Sequence, residues 1–341
     1  MAPMYYGGID AHKTYLTLAV VDKDAELVLQ RKRVPIGTGE ALLEALRDFR
    51  PLKVVVETCP FWPWIHDLVA GTDIEFHLAH ASRLEAIARS KKKTDRVDAE
   101  LLARMLQSKL IPEAYPKPPA QRELARLIRH RATMVKDRTR SVNRIHNQLH
   151  QKGIQGERET LLRDKGRQWL EQSVWPELST QQQAIVGTQL ELIDFFTTKI
   201  EALDEEIERE ARSHPAASLL QTIPGIGPYR SLLLAAEVLP IKRFASPAHL
   251  VSYVGLAPTV KQSGSGRPRH GAVPRGANRW VRGALVSAIP SHLRAEPDSS
   301  VATYYQELKE RLGWPTARVA AARKLCRVIY AMLSTGEVWR G

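Results

Sequence analysis

Four carboxylates stand where chemistry would need them. Asp10 ends a short β-type run, MYYGGID, and Glu57 ends a continuous apolar run, LKVVVET. Asp95 and Asp98 open a helical pattern in KKKTDRVDAELLARML. Residues at i and i+3 lie on one face of a helix, so Asp95 and Asp98 can present two carboxylates to one point. An α/β sheet collects functional groups at the carboxyl ends of its strands, which is where Asp10 and Glu57 fall if their strands are neighbours. Four hard oxygen donors in one cluster suit Mg²⁺ or Mn²⁺. Two such ions about 4 Å apart stabilise the attacking and leaving oxygens of phosphoryl transfer. Singly, each acid has a simpler role: a turn for Asp10, a solvated strand end for Glu57, a helix cap for Asp95 and Asp98. The set in this strand order favours the metal. Lys91, Lys92 and Lys93 precede the second pair and are candidates for holding a nucleic-acid backbone beside it.

A second group lies near the C-terminal end. KQSGSGRPRHG joins Ser263 and Ser265 to glycines and to Lys261, Arg267, Arg269 and His270. Small residues let a backbone approach a phosphate, and the cations neutralise it. Arg275 and Arg279 extend the basic stretch. A serine in such a loop becomes a nucleophile towards phosphorus only if a metal or base activates it. IPGIGPYR resembles the turn of a helix-hairpin-helix, with Gly225 and Gly227 allowing tight geometry and amides at a helix start available to a phosphate.

The elements that must position these residues read clearly. Three β-rich runs within residues 4–35 form a meander, followed by a helix over TGEALLEALRDF with Thr38 as its N-cap, the buried strand LKVVVET, a helix ended by Gly71, the strand IEFHLAH and helices from about residue 82 to 108. Three antiparallel strands followed by parallel β-α-β units are the order of a ribonuclease-H-like (RuvC-like) core. PKPPA near Pro116 marks a boundary, and residues 121–212 read as a pair of long charged helices, either a coiled coil or a solvated helical linker. HPAAS near Pro215 marks another boundary, before a helical C-terminal region. The expected division is therefore α/β plus all-α: residues 1–115, 116–213 and 214–341.

Composition bounds the class. The chain has 341 residues, 43% of them hydrophobic, enough for more than one core. No apolar run is long enough to span a membrane, and MAPMYYGGIDAHK has no secretion signal. Two distant cysteines, Cys59 and Cys326, fit a reducing cytoplasm without disulfides or zinc spacing. The net charge of +13 is uneven: residues 215–341 hold 17 Lys/Arg against 6 Asp/Glu, leaving +2 for the first 214. A basic C-terminal part points to a polyanion partner.

GIDAHK, VVVET, KTDRVDAELLA, IPGIGP and YVGLAPTVKQSGS, in this order, resemble the DEDD transposases of bacterial insertion sequences, in the family numbered one hundred and ten. The resemblance spans nearly the whole chain. It implies that Asp10, Glu57, Asp95 and Asp98 are the four acids of a RuvC-like metal site. It also implies that Ser263 is the nucleophile, with Ser265 repeating the same Ser-Gly pattern, and that the serine joins DNA through a phosphoserine. The implied partners are donor and target DNA, a noncoding bridge RNA pairing with both, and further copies of the chain in a dimer or tetramer that brings acids and serine together. Two other classes fit fewer of the motifs: a RuvC-like resolvase using metal-activated water, and a non-catalytic nucleic-acid-binding protein.

Overall fold

The computed structural model describes residues 4–87, 95–155, 160–257, 259–261, 269–271 and 277–341, with the side chains of 31, 85–87, 95–98, 160, 259–261 and 269–271 outside that description. The chain divides into two compact units, residues 1–120 and 121–341.

The first unit is a mixed α/β sheet. Its elements are β1 (Tyr5–Ala11), β2 (Tyr15–Val21), β3 (Leu27–Pro35), α1 (Glu40–Leu46), β4 (Leu52–Glu57), α2 (Trp62–Val69), β5 (Ile74–Ala79), α3 (Ala81–Ile87), α4 (Asp95–Gln107) and the short β6 (Glu113–Ala114). The sheet order is β3-β2-β1-β4-β5-β6. The first three strands are antiparallel neighbours, β4 and β5 run parallel to β1, and β6 closes the edge antiparallel to β5. Val54, Val55 and Val56 are fully buried because both faces of the central strand are covered. One face packs Ile9, Leu16, Val54 and Val56 with Leu42, Leu46 and Ile65 of α1 and α2. The other packs Val55 and Ala79 with Leu102, Met105 and Leu106 of α4. Thr38 does not cap α1. Gly39 takes the N-cap in a left-handed conformation (φ 91°) with no side-chain cap, because a side chain there would strike Leu68.

The second unit is helical: α5 (Pro119–His150), α6 (Asp164–Trp169), α7 (Thr180–Ser213), α8 (Pro215–Gln221), α9 (Pro228–Val238), α10 (Pro247–Tyr253), a ribbon of β7 (Thr259–Lys261) and β8 (Arg269–Gly271), α11 (Arg279–Ala295), α12 (Ser300–Leu312) and α13 (Trp314–Thr335). A reciprocal Ser179–Gln182 cap starts α7. Its buried Val186, Ile193, Ile200 and Ile207 recur every seven residues. It runs antiparallel to α5: Arg131 grips both oxygens of Asp204 (2.8 and 2.7 Å), and Arg138 donates to Thr197 (3.2 Å). The near-neutral middle of the chain hides a segregation. Helix α5 carries eight Lys/Arg against two acids, while α7 carries eight acids against three Lys/Arg. No break in packing accompanies Pro215, since Ala125, Ile207, Ala211, Ala217 and Leu232 share one cluster.

One contact fixes the sheet to its covering helix. A Cβ on Gly8 would lie 1.9 Å from the Ala99 carbonyl oxygen and 2.7 Å from the Ala103 nitrogen. Only a glycine lets α4 lie this close to β1. Gly8→Ala is expected to destabilise the full chain by about 3 kcal/mol or more, since the clash is with backbone and exceeds ordinary overpacking. Gly7→Ala meets the Val54 side chain at 3.2 Å as its nearest contact and should cost less. Urea melts of the two variants check this, and equal midpoints would refute the close approach.

Candidate active site

Asp10 and Glu57 stand on adjacent parallel strands. The β1–β4 register pairs Ile9 with Val56, and each acid is the next residue along its strand. Glu57 is held from the other side. It pairs with Ala79 of β5, the Thr58 amide donates to the Ala79 carbonyl (2.9 Å), and the Thr58 hydroxyl accepts from the Ala81 amide (3.1 Å). The carboxyl ends of β1, β4 and β5 are thus laced together at the acids.

Helix α4 approaches the same end. Its last turns reach the β2–β3 turn, where Arg104 donates to the Ala25 carbonyl (2.7 Å) and Gln107 to that of Lys23 (2.9 Å). That turn follows Val21, which pairs with Tyr6 at the start of β1. The helix therefore runs opposite to β1. Its first turn, with Asp95 and Asp98, extends past Gly8 towards the strand end that carries Asp10. Among the described residues, no three His, Cys, Asp or Glu side chains form a metal cluster, and the two described donors are Asp10 and Glu57. Both are hard oxygen ligands of the kind Mg²⁺ prefers.

Residues not singled out as site members surround the pair. His12 Nε2 approaches Asp10 Oδ2 to 2.9 Å, with both atoms screened from solvent and off the line of a hydrogen bond. Its ring packs at a tilt against Tyr15 (centroids 4.5 Å apart), and the Arg33 guanidinium covers Tyr15 in turn (4.7 Å). Burial pushes the Cys59 thiol up, the Phe61 and Trp62 amides partly offset this, and the charges of Glu57 and Asp10 push it further up. Burial, then the Arg83 charge, lowers His80 at the end of β5. The signal for His12 and Cys59 was their spacing of two from an acid in GIDAH and ETC; His80 had no such signal.

In the second unit, β7 and β8 pair Lys261 with Arg269 in backbone register. Ser263, Ser265, Arg267 and Arg275 lie outside the described residues, as do Lys91, Lys92 and Lys93. Gly225 and Gly227 have different tasks. Gly225 has φ 85°, and a Cβ there would lie 2.6 Å from the His292 nitrogen, so it serves the packing of the turn on α11. His292 Nδ1 donates to the Pro224 carbonyl (2.8 Å), and its Nε2 meets the Ser299 hydroxyl (2.8 Å). Gly227 is exposed, has open space where a Cβ would stand, and caps α9 with extended backbone. Arg230, which follows, is spent on the carbonyls of Gly225 and Ser287 (2.9 and 3.1 Å). Arg279 is exposed and joins Lys136 and Arg129 around the Trp280 indole, at 5.5, 4.6 and 5.9 Å. Neither α5 cation was apparent as a neighbour of Trp280 from the sequence.

The two cysteines should separate chemically. Cys326 is buried and its thiol is pushed up to about 12, whereas Cys59 is half-buried and less shifted. Iodoacetamide at pH 8 is expected to label Cys59 slowly in the folded chain and Cys326 only after denaturation. Peptide mapping reads the order, and early labelling of Cys326 would contradict the packing.

Residues 7–154 match the family model of DEDD transposases of the IS110 type, and residues 217–306 match that of the IS116/IS110/IS902 transposase family. The transposase for insertion sequence element IS1111A of Coxiella burnetii is 25% identical over 98% of this chain and 90% of its own length. The transposase for insertion sequence element IS1328 of Yersinia enterocolitica is 24% identical over 97% of each. The insertion element IS110 43.6 kDa protein of Streptomyces coelicolor is 35% identical over 40% of this chain and 34% of its own length. Two models of one transposase group match the chain in the same order, one over the sheet with its acids and the other over the basic helical part, and so the chain belongs to the IS110 family of transposases.

Proposed function

We propose that this transposase cuts and rejoins DNA at the ends of its insertion sequence through two contributions: a RuvC-like carboxylate site of Asp10, Glu57, Asp95 and Asp98, and the hydroxyl of Ser263. The observation that carries the reading is the close contact of α4 on β1 at Gly8. It directs the helix turn bearing Asp95 and Asp98 towards the strand end bearing Asp10, with Glu57 on the next strand. The strand order, with three antiparallel strands followed by parallel β4 and β5, is that expected of a RuvC-like core.

The four carboxylates would hold Mg²⁺ or Mn²⁺. When bound, the metal supplies positive charge at the phosphate and lowers the cost of charge building on its oxygens. The protein's own residues do the rest. The Ser263 oxygen bonds to phosphorus, the bond from phosphorus to one sugar oxygen breaks, the serine proton passes to solvent and the departing oxygen takes one up. The phosphodiester becomes a phosphoserine ester of similar energy, so the reverse attack by another strand's hydroxyl rejoins DNA without an external energy source. Lys261, Arg267, Arg269, Arg275 and Arg279, with the exposed turn at Gly227, are the groups to hold backbone phosphates. The basic α5 enlarges that set. A noncoding bridge RNA would read donor and target by base pairing, leaving backbone and shape to the protein, as in other RNA-guided enzymes. Acids and serine would meet between copies of the chain.

Full-length protein, purified with its copurifying RNA, is incubated with a plasmid bearing the element and its flanks, then denatured in detergent. A covalent protein–DNA adduct is expected from wild type and from Ser265→Ala, and none from Ser263→Ala or Asp10→Asn. Cutting that persists in Ser263→Ala would overturn the phosphoserine and favour metal-activated water. Sequencing the copurified RNA tests the guide, which falls if no RNA complementary to the element's ends and target is found.

Cys59 reports on the metal without activity. Glu57 and Asp10 help hold its thiol up, so a cation on these acids should lower it and speed iodoacetamide labelling. Labelling is expected to quicken with Mg²⁺ in wild type and to ignore Mg²⁺ in Asp10→Asn. Identical Mg²⁺ responses in the two proteins would remove Asp10 from the metal site.

A further inference from the structure

We infer that Asn278, held by the buried Glu237, is a positioning residue for strand cutting, an inference that rests on the serine reading above. The chain leaves α10 at Tyr253 and enters α11 just after Asn278, so these two residues are the ends of the stretch that carries the serines. The Asn278 amide donates to the Tyr253 carbonyl at 2.9 Å. Its side-chain Nδ2 donates to the Tyr253 hydroxyl at 3.0 Å and to Glu237 Oε2 at 2.9 Å. Its Oδ1 caps α11, accepting from the amides of Trp280 and Val281 at 3.1 and 3.2 Å. Both donors and both acceptor positions of this carboxamide are used.

Glu237 anchors the clasp. Its side chain is 0% exposed. Its Oε1 receives Arg129 Nε and Nη2 at 2.8 and 2.5 Å. Its backbone carbonyl accepts from Arg243 Nη2 at 2.7 Å and from the Tyr253 hydroxyl at 3.3 Å. The Tyr253 proton goes to that carbonyl, which leaves its oxygen free to accept from Asn278. The Arg243 guanidinium also covers the Phe244 and Tyr253 rings, at 4.5 and 4.9 Å. A buried ion pair adds little net stability compared with well-packed apolar residues, because desolvation offsets the attraction. What this one provides is direction. Each partner accepts one geometry, and that geometry brings the exit and re-entry of residues 254–277 to a single point. A nucleophile must be placed within a fraction of an ångström, and its carrier's ends decide where it can reach.

The test uses the full chain, its copurified RNA and a linear duplex carrying one element end with its flank. Asn278→Asp keeps the size and the helix cap but removes both donors and sets a second carboxylate against Glu237. The rate of adduct formation is expected to fall roughly tenfold or more, as misplacement of a reacting group does, while duplex affinity changes less than about twofold. Adding Glu237→Gln moves the donor to position 237, where its amide can bond the carboxylate at 278, and should return most of the rate. Tyr253→Phe is the milder variant should Asn278→Asp not fold, with a several-fold loss expected. A wild-type rate in either single variant, loss that follows affinity, or no recovery in a double variant that melts like wild type would each overturn the inference. A wild-type chain that forms no serine-dependent adduct would instead sink the serine reading, and this inference with it.

Discussion

The first unit depends on the absence of one methyl group. With any side chain at Gly8, α4 could not rest its Ala99 carbonyl against β1. The helix would have to rise, and the layer of Leu102, Met105 and Leu106 against Val55 and Ala79 would open. The same contact sets how the first turn of α4 meets the sheet. Packing and chemistry are therefore one constraint here: the helix that covers the sheet's second face also carries two of the proposed ligands. The lacing of β4 to β5 through Thr58 does the corresponding work for Glu57.

The second unit is organised by charge as well as by apolar packing. Helices α5 and α7 bury a seven-residue apolar repeat between them and are pinned by Arg131–Asp204, yet their surfaces carry opposite charge. Intrahelical pairs such as Arg126–Glu123 and Arg140–Asp137 are exposed and contribute little each. The excess positive charge of α5 remains, and Lys136 brings it to Trp280 beside Arg279, where Arg129 is paired with Glu237. The polyanion-binding character inferred from residues 215–341 therefore extends into a helix that precedes them by sixty residues or more.

Much of the sheet was legible because its signals are local. β-rich runs mark β1 to β3, and the unbroken valines of β4 require cover on both faces, which the structure supplies. The acids Asp10 and Glu57 were readable as strand-end residues for the same reason. The N-cap of α1 was misread because Thr38 has the right chemistry, while the cap falls at Gly39, whose left-handed backbone and close approach to Leu68, twenty-nine residues later, favour a glycine. The ribbon of β7 and β8 and the edge strand β6 are two or three residues long, too short to show a period. Gly8 read as part of a motif, and its reason lies in a helix ninety residues away. Glu237 gave no signal at all, since a lone acid in LLLAAEVLP acquires its partners Arg129 and Asn278 only through tertiary packing. The charge segregation was hidden by arithmetic, because a sum over residues 1–214 cancels α5 against α7.

The proposed site also has an electrostatic logic. Two unit charges about 4 Å apart repel by about 4 kcal/mol at an effective dielectric of about 20. Four carboxylates at one strand end cannot converge without an offset. The sheet holds Asp10 and Glu57 through strand pairing that owes nothing to a metal. Asp95 and Asp98 open α4, which lies against β1 at Ala99. A helix start favours negative charge through its own dipole, by about 0.3–1 kcal/mol, far less than the repulsion. The sheet thus fixes one half of the proposed site, and a divalent cation would offset the repulsion with the other. On the proposed reading, metal binding and completion of the site would be a single event.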